Sequence, residues 1–251
     1  MNQQNNTRHL SFEEAVTLRP GSEHYRAYVG PPDQYDFMGA TQFRLLCALG
    51  LRDTHTVLDF GCGSLRAGRL LIPYLRANRY FGLDPNRWLI EDAVKHEIGH
   101  DLVALKQPMF RYDTDFTADH FGTQFDFIVA QSIFSHAGSD LIGTTLRSFK
   151  RTLRSGGLVL ATFIQPHQLG VTESFSGHGW IYPGCVAYYP QTFTAFASNA
   201  GMVGRLIPWF HPRQTWIVMA HRSADLPSAE HDQHLTGAVL RDQQLAASVA
   251  G

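Results

Sequence analysis

One short stretch constrains this chain more than any other: Thr56-Val57-Leu58-Asp59-Phe60-Gly61-Cys62-Gly63, running on into Ser64-Leu65-Arg66-Ala67-Gly68-Arg69-Leu70-Leu71. Val57 and Leu58 form an apolar run of β-formers bounded by turn residues. Gly61 and Gly63 carry no Cβ, so the backbone there can turn sharply and approach a ligand. Leu65, Leu70 and Leu71 then recur at roughly helical spacing. The pattern is a buried strand, a tight glycine turn and the start of a helix. Such a turn aims free N–H groups at whatever sits above it, which favours an anionic or polar ligand.

Spacing separates the ligands that use turns of this kind. Gly63 and Gly68 are spaced as in a phosphate-cradling loop, but Arg69-Leu70 follows where a lysine and a hydroxyl residue are needed. Gly61 and Gly63 fit the start of a dinucleotide fingerprint, but Arg66 stands where its third glycine belongs. What remains is an acid at the end of the strand, Asp59, two residues before the glycine pair. Downstream the rhythm repeats. Arg79-Tyr80-Phe81-Gly82-Leu83-Asp84-Pro85-Asn86 is a second strand ending in an acid, and Met109-Phe110-Arg111-Tyr112-Asp113 is a third. In nucleotide-binding α/β folds, an acid at the end of the second strand accepts hydrogen bonds from ribose hydroxyls. Phe125 to Ala130 is nearly continuous in apolar residues, as expected for a parallel strand covered on both faces, and it breaks into Gln131-Ser132 and then Ser135-His136.

This series resembles the class I S-adenosylmethionine-dependent methyltransferases, in their small-molecule branch. Asp59-Phe60-Gly61-Cys62-Gly63 is similar to their first motif, with Leu65 at a position that is often a third glycine. Gly82 to Asn86 looks like their second motif, and the Gln131-Ser132 region with its Ser-His step looks like their fourth. The Ser155-Gly156-Gly157 turn into a fifth strand also resembles the family. The resemblance covers about residues 57–221. It implies a Rossmann-like seven-stranded, mostly parallel sheet with a terminal antiparallel hairpin and helices on both faces. It further implies a cofactor, S-adenosylmethionine, leaving as S-adenosylhomocysteine. The cofactor-side residues it points to are Asp59, Gly61, Cys62 and Gly63 at the first strand, then Asp84, Pro85 and Asn86 at the second. Asp113 at the third strand would meet the adenine, with Asp115 a rival, and Gln131 and Ser132 follow the fourth strand. His136 would then sit near the transferring methyl, where an imidazole of unperturbed pKa about 6.5 can take a proton near neutrality. The alternative role is a capping or orienting one.

The remaining segments are read around that core. Residues 1–55 are expected to form an N-terminal helical flap. Its first residues are polar, Phe12 to Leu18 suits a short helix, and Phe37 to Gly50 suits a longer one ended by its glycine. Between them, Gly30-Pro31-Pro32 breaks any helix, and the aromatic loop around it predicts that Gln34, Tyr35 and Asp36 face the ligand. Residues 56–222 are expected, from the resemblance, to form the methyltransferase core. Within it, residues 165–189 break the strand-helix rhythm and carry Phe175, Trp180, Tyr182, Tyr188 and Tyr189 on a glycine-rich frame. Long irregular insertions of this kind usually serve function, so the segment is expected to cap the acceptor, with Trp180 and Tyr188 lining it. Pro190 to Ala200 reads as a helix. Met202 to Pro208 and Gln214 to Ala220 read as the closing hairpin, whose joining loop puts His211 on the acceptor side. Residues 223–251 form a tail in which Val239 to Val249 suits a helix.

Composition narrows the partners. With a net charge of −1 and no basic cluster, the 251-residue chain lacks the footprint of a nucleic-acid binder. Arg66 and Arg69 read as ordinary charge on the first crossover helix. Cys47, Cys62 and Cys185 are sparse and widely separated, which suggests a reducing compartment. No run approaches the ~18 apolar residues of a membrane span, so the expected location is the cytoplasm. A helix expected from Trp88 to about Ile98 carries His96 and His100 at a zinc-compatible spacing, but no third ligand follows in order, and metal-independent transfer is expected. Two rival functions stand beside methyl transfer to a small-molecule acceptor on oxygen, nitrogen or carbon. One is a non-catalytic S-adenosylmethionine-binding partner, and the other an NAD-dependent oxidoreductase on a similar sheet.

Overall fold

The computed structural model describes residues 7–171 and 177–235. The proposed helix at Val239 to Val249, and Phe175 of the insertion, lie outside the described residues. The chain opens with two single-turn helices, α1 (Phe12–Ala15) and α2 (Tyr25–Tyr28), before the longer α3 (Tyr35–Ala48). Alternation follows: β1 (Val57–Phe60), α4 (Gly68–Tyr74), β2 (Tyr80–Leu83), α5 (Arg87–Ala93), α6 (His100–Lys106), β3 (Met109–Arg111), β4 (Phe125–Ala130), α7 (Ser139–Thr152) and β5 (Leu153–Phe163). Then α8 (Pro190–Asn199) leads to β6 (Val203–Ile207) and β7 (Thr215–Ala220).

The seven strands lie in the order β3-β2-β1-β4-β5-β7-β6. β1 pairs in parallel with both β2 and β4, which makes it an interior strand of the sheet. Every residue of β1 and of β2 is buried, as the continuous apolar runs require when helices cover both faces. β7 runs antiparallel between β5 and β6 and closes the sheet as a hairpin. Chain order reverses on either side of β1, and such a reversal opens a crevice beyond the strands' carboxyl ends. One apolar cluster, around Phe134, Phe149, Phe163 and Phe193, packs one face; a second, around Leu46, Leu71, Tyr80 and Trp216, packs the other. Among the described residues, no helix is long and apolar enough to cross a membrane.

Three local expectations are corrected. The helix expected over Phe12 to Leu18 spans only Phe12–Ala15, capped by Ser11 and Glu14. The helix expected from Trp88 to Ile98 is α5 followed by a wide π-turn, Val94–Ile98, that ends at Gly99 with φ +85°. A separate helix, α6, starts beyond it, so the glycine breaks the His96–His100 face. His96 instead stacks on Tyr25 with ring centroids 5.6 Å apart. β5 also begins earlier than its glycine turn suggests, at Leu153, with a register irregularity opposite Phe125 and Phe127.

α3 is fixed against the β1–α4 turn by a close contact. A Cβ on Gly39 would lie 2.3 Å from the backbone oxygen of Arg66. Alanine is the better helix former by ~1 kcal/mol, but overpacking a well-packed site costs about 1–3 kcal/mol. The atom in the way is backbone of the turn itself, which cannot rotate aside. Gly39→Ala is therefore expected to lower the melting temperature; a rise would mean that α3 can slide off the turn.

Candidate active site

At the carboxyl ends of β1, β2 and β4 the sheet opens into a cavity of about 490 Å³, within the usual size range of small-molecule sites. Its floor is the glycine turn. Gly61 and Gly63 have φ of +76° and +51°, a region that L side chains rarely adopt. A Cβ on Gly61 would also strike Ile133 at 2.0 Å. The turn is fastened to β2 by one bond: the Gly63 N–H donates to Asp84 Oδ2 at 2.9 Å. Asp84 Oδ1 accepts from the Asn86 backbone N–H at 2.8 Å and from its side-chain amide at 3.1 Å. Three of the roughly four lone-pair sites of the carboxylate are thus occupied, and one on Oδ2 is left. Burial raises the Asp84 pKa, against these bonds, which lower it. Asp59 is also buried and accepts from the Tyr80 hydroxyl at 2.8 Å; burial pushes its carboxyl up to about 6.

The loop after β4 supplies the opposite wall. Gln131, Ser132, Ser135 and His136 all line the cavity. Ser132 takes φ +63°, and its N–H donates to Thr162 Oγ1 at 2.7 Å. The 177–189 part of the insertion is stitched onto this loop by backbone bonds, Ile181 N–H to the His136 carbonyl and Val186 N–H to the Ser135 carbonyl, both about 2.9 Å or less. His136 Nδ1 lies 2.6 Å from the Gly184 carbonyl. A carbonyl only accepts, so Nδ1 carries the proton and Nε2 keeps its lone pair. Burial holds the His136 pKa below its usual value. Trp180 and Tyr182 stack on each other, and each meets the imidazole edge-on, at 5.7 and 5.0 Å.

The hairpin loop between β6 and β7 closes the third side with His211, Arg213 and Gln214. The Arg213 N–H donates to His211 Nδ1 at 3.1 Å, which places the His211 proton on Nε2. That atom lies 3.5 Å from the Gln131 side-chain nitrogen, a donor beside a donor, so the two make no hydrogen bond. Burial, with Arg213 and Arg66 nearby, holds the His211 pKa well below its usual value. Gln214 Nε2 reaches Ser132 Oγ at 3.1 Å. The Gln131 and Gln214 carbonyl oxygens are buried without a protein partner, and both residues line the cavity. Buried amide oxygens without partners are rare in folded proteins, so they fit a ligand that brings N–H or O–H donors.

Of the residues expected at the site, Asp59, Gly61, Cys62, Gly63, Asp84, Asn86, Gln131, Ser132, His136, Trp180 and His211 line this one cavity. Others fall elsewhere. Asp113 is ion-paired with Arg111 at 2.6 Å, and neither it nor Pro85 is part of the lining. Asp115 pairs with His120. Gln34, Tyr35 and Asp36 are not part of the lining. Tyr35 is buried and donates to the Ser64 carbonyl at 2.6 Å, Gln34 accepts from Arg213, and Asp36 pairs with Arg26 and Arg69. Tyr188 is core, its hydroxyl bonded to the Ala137 carbonyl at 3.1 Å. The part of the N-terminal segment that does reach the cavity is Tyr28-Val29-Gly30-Pro31. Arg66 is not surface charge either: it precedes α4, lines the cavity and donates to the Val29 carbonyl at 3.0 Å. Sequence reasoning missed Arg66, Arg213 and Gln214. The one available signal was Arg66 standing at the vacant third-glycine position.

Residues 58–159 match the sequence model of a family described as a methyltransferase domain. The fold is similar to that of the magnesium protoporphyrin IX methyltransferase from Synechocystis, solved with bound S-adenosylhomocysteine: TM-score 0.56, 13% identity, 76% of this chain and 84% of that one. It is similar to the CcbJ methyltransferase from Streptomyces caelestis, at TM-score 0.57, 17% identity, 76% of this chain and 96% of that one. A sugar N-methyltransferase from a Streptoalloteichus species gives 0.57, 14%, 78% and 91%. At these identities the likeness concerns the fold.

Proposed function

We propose that this chain, which carries a methyltransferase domain over residues 58–159, transfers a methyl group from S-adenosylmethionine to a small-molecule acceptor. The observation that carries the reading is the Gly63–Asp84 bond. It sets the glycine turn of β1 and the acid of β2 on one floor, in the same cavity as His136. The partnerless oxygens of Gln131 and Gln214 add acceptors for a cofactor or acceptor that carries donors. The cofactor supplies a sulfonium methyl that is already electrophilic, so the proposed reaction needs no metal.

The residues of the chain then have separable tasks. Asp84 Oδ2 offers its remaining lone pair to a ribose hydroxyl, while Gly61 and Gly63 keep the turn low enough for the ligand to lie over it. His136 holds its Nε2 lone pair toward the cavity and takes the proton of an acceptor hydroxyl, which favours oxygen over nitrogen or carbon. Trp180, Tyr182 and the 177–189 segment exclude water from that nucleophile. Holding it in line is itself a large share of the rate.

Calorimetric titration with S-adenosylhomocysteine, S-adenosylmethionine and NAD tests the reading. Binding of the first two and not the third is expected. NAD binding, or binding of none, would remove it. Asp84→Ala is expected to weaken S-adenosylhomocysteine binding by roughly 1–3 kcal/mol, because a ribose hydroxyl loses its acceptor and the Gly63 N–H its partner. Unchanged affinity would take Asp84 out of the site.

A further inference from the structure

Two guanidinium groups, of Arg66 and Arg213, line the cavity with no carboxylate in ion-pair range among the described residues. The other charged groups there are engaged. Asp84 is held by Gly63 and Asn86, and Asp59 by Tyr80. Arg66 has a backbone carbonyl for a partner and Arg213 the amide oxygen of Gln34, at 2.7 Å. Neutral partners position a guanidinium without cancelling its charge, and each keeps several of its five N–H donors. Burial and the neighbouring Arg213 cation pull the Arg66 pKa down to about 10, and burial pulls that of Arg213 down, against the Asp33 carboxylate. Asp59 acts on Arg66 and Asp33 on Arg213 only at a distance, outside ion-pair range, and two cations without a direct ion-pair partner in a partly desolvated cavity are stabilised by anions entering it.

The two guanidinium groups are neighbours, both near His211, but they come from opposite walls of the cavity. Arg66 follows the glycine turn of β1, on the cofactor floor. Arg213 sits just before β7, whose Thr215 pairs with Phe163 at the end of β5. That places it across β4 from Asp84, at the end of the sheet where Thr215 meets Gln168. Its loop is tied to the loop after β4 by the Gln214–Ser132 bond.

We infer that the acceptor is itself an anion, a small molecule with a carboxylate held by Arg213, while Arg66 is left for the carboxylate of the cofactor. This rests on the methyltransferase reading, since that cofactor carries one carboxylate and the cavity offers two cations. A planar guanidinium suits a carboxylate because its paired N–H groups match both oxygens.

The test uses benzoate, 4-hydroxybenzoate and cinnamate, each beside its neutral amide, titrated into the protein saturated with S-adenosylhomocysteine. At least one acid should bind about tenfold or more tightly than its amide, the scale of one charge-assisted hydrogen bond. Arg213→Met should abolish the preference, and Arg213→Lys should keep part of it. Neither variant should change S-adenosylhomocysteine affinity, which also shows that each is folded. Arg66→Met should weaken S-adenosylhomocysteine. No acid preferred over its amide, or a preference that survives Arg213→Met, overturns the inference. A wild-type protein that binds S-adenosylhomocysteine but shows no acid preference loses only this inference. One that fails to bind S-adenosylhomocysteine loses the methyltransferase reading.

Discussion

Replacing His136 with glutamine is expected to lower methyl-transfer turnover by about 10²–10⁴-fold, the range of a lost general base, with S-adenosylhomocysteine affinity unchanged. The size of the effect follows from how the ring is held. The Gly184 carbonyl fixes the proton on Nδ1, so the neutral ring presents its basic nitrogen and not its N–H. The ring is hemmed by Trp180 and Tyr182, and burial depresses its pKa. A depressed pKa means that the neutral, proton-accepting form prevails above a value lower than 6.5 and is lost as pH falls through it. The wild-type kcat/KM should therefore show an acid limb below pH 6.5, and the glutamine variant should lack it. Glutamine keeps roughly the length of the side chain and its hydrogen-bonding capacity, so orientation alone cannot account for a large loss. A variant that retains most of its turnover would show that in-line placement carries the reaction without a base.

The central sheet was legible because each of its strands has a local signature. Val57-Leu58, Tyr80 to Leu83 and Phe125 to Ala130 are apolar runs ending in polar residues, and a doubly covered parallel strand needs nothing more. The cofactor floor was legible for the same reason: Asp59, Gly61, Gly63 and Asp84 sit within three residues of strand ends. The acceptor side was less so, since its walls come from segments distant in sequence. Gln34 and Tyr35 were expected to face a ligand because an aromatic loop beside two prolines suggests a binding surface. Periodicity could not show that helix α3 begins at Tyr35 and turns its ring into the core, under the Ser64 carbonyl. Arg213 could not be placed because its position depends on Gln34, far away in sequence, and on the hairpin packing against β4. The break after Ile98 was hidden for a smaller reason: Gly99 alone does not reveal that the preceding turn is widened to a π-turn.

Glu97→Ala is expected to cost about 3–5 kcal/mol of stability, as removal of one partner of a buried ion pair does, and to weaken S-adenosylhomocysteine binding as well. Glu97 lies in the widened turn after α5 and is the common partner of the N-terminal segment. Its carboxylate accepts from Tyr25 Oη at 2.9 Å and from Arg26 Nε at 2.6 Å, pairs with a second Arg26 nitrogen, and meets Arg69 at 3.5 Å. Side-chain exposure is only 7% for Glu97 and 10% for Arg26, so the pair is shielded from solvent. Arg26 is further enclosed by the rings of Phe12 and Tyr35, 4.1 and 4.6 Å away. Without Glu97 this cation keeps the Tyr25 hydroxyl and one carboxylate, Asp36, which is exposed and shared with Arg69. The cavity feels the loss because Tyr28 to Pro31 come directly after Arg26 and form part of its wall, tied down by the Arg66 bond to Val29. Denaturant midpoints for Glu97→Ala and Glu97→Gln, measured with and without S-adenosylhomocysteine, separate the two effects. Glutamine retains an acceptor for Tyr25 and Arg26 and should lose less. In the wild type, ligand at a hundred times its Kd adds about 2.7 kcal/mol; the same concentration should add less to the alanine variant if the segment must re-form its wall on binding. An alanine variant within about 1 kcal/mol of wild type would show that Asp36 alone neutralises both arginines. Full stability with weakened binding would confine the role of Glu97 to shaping the wall.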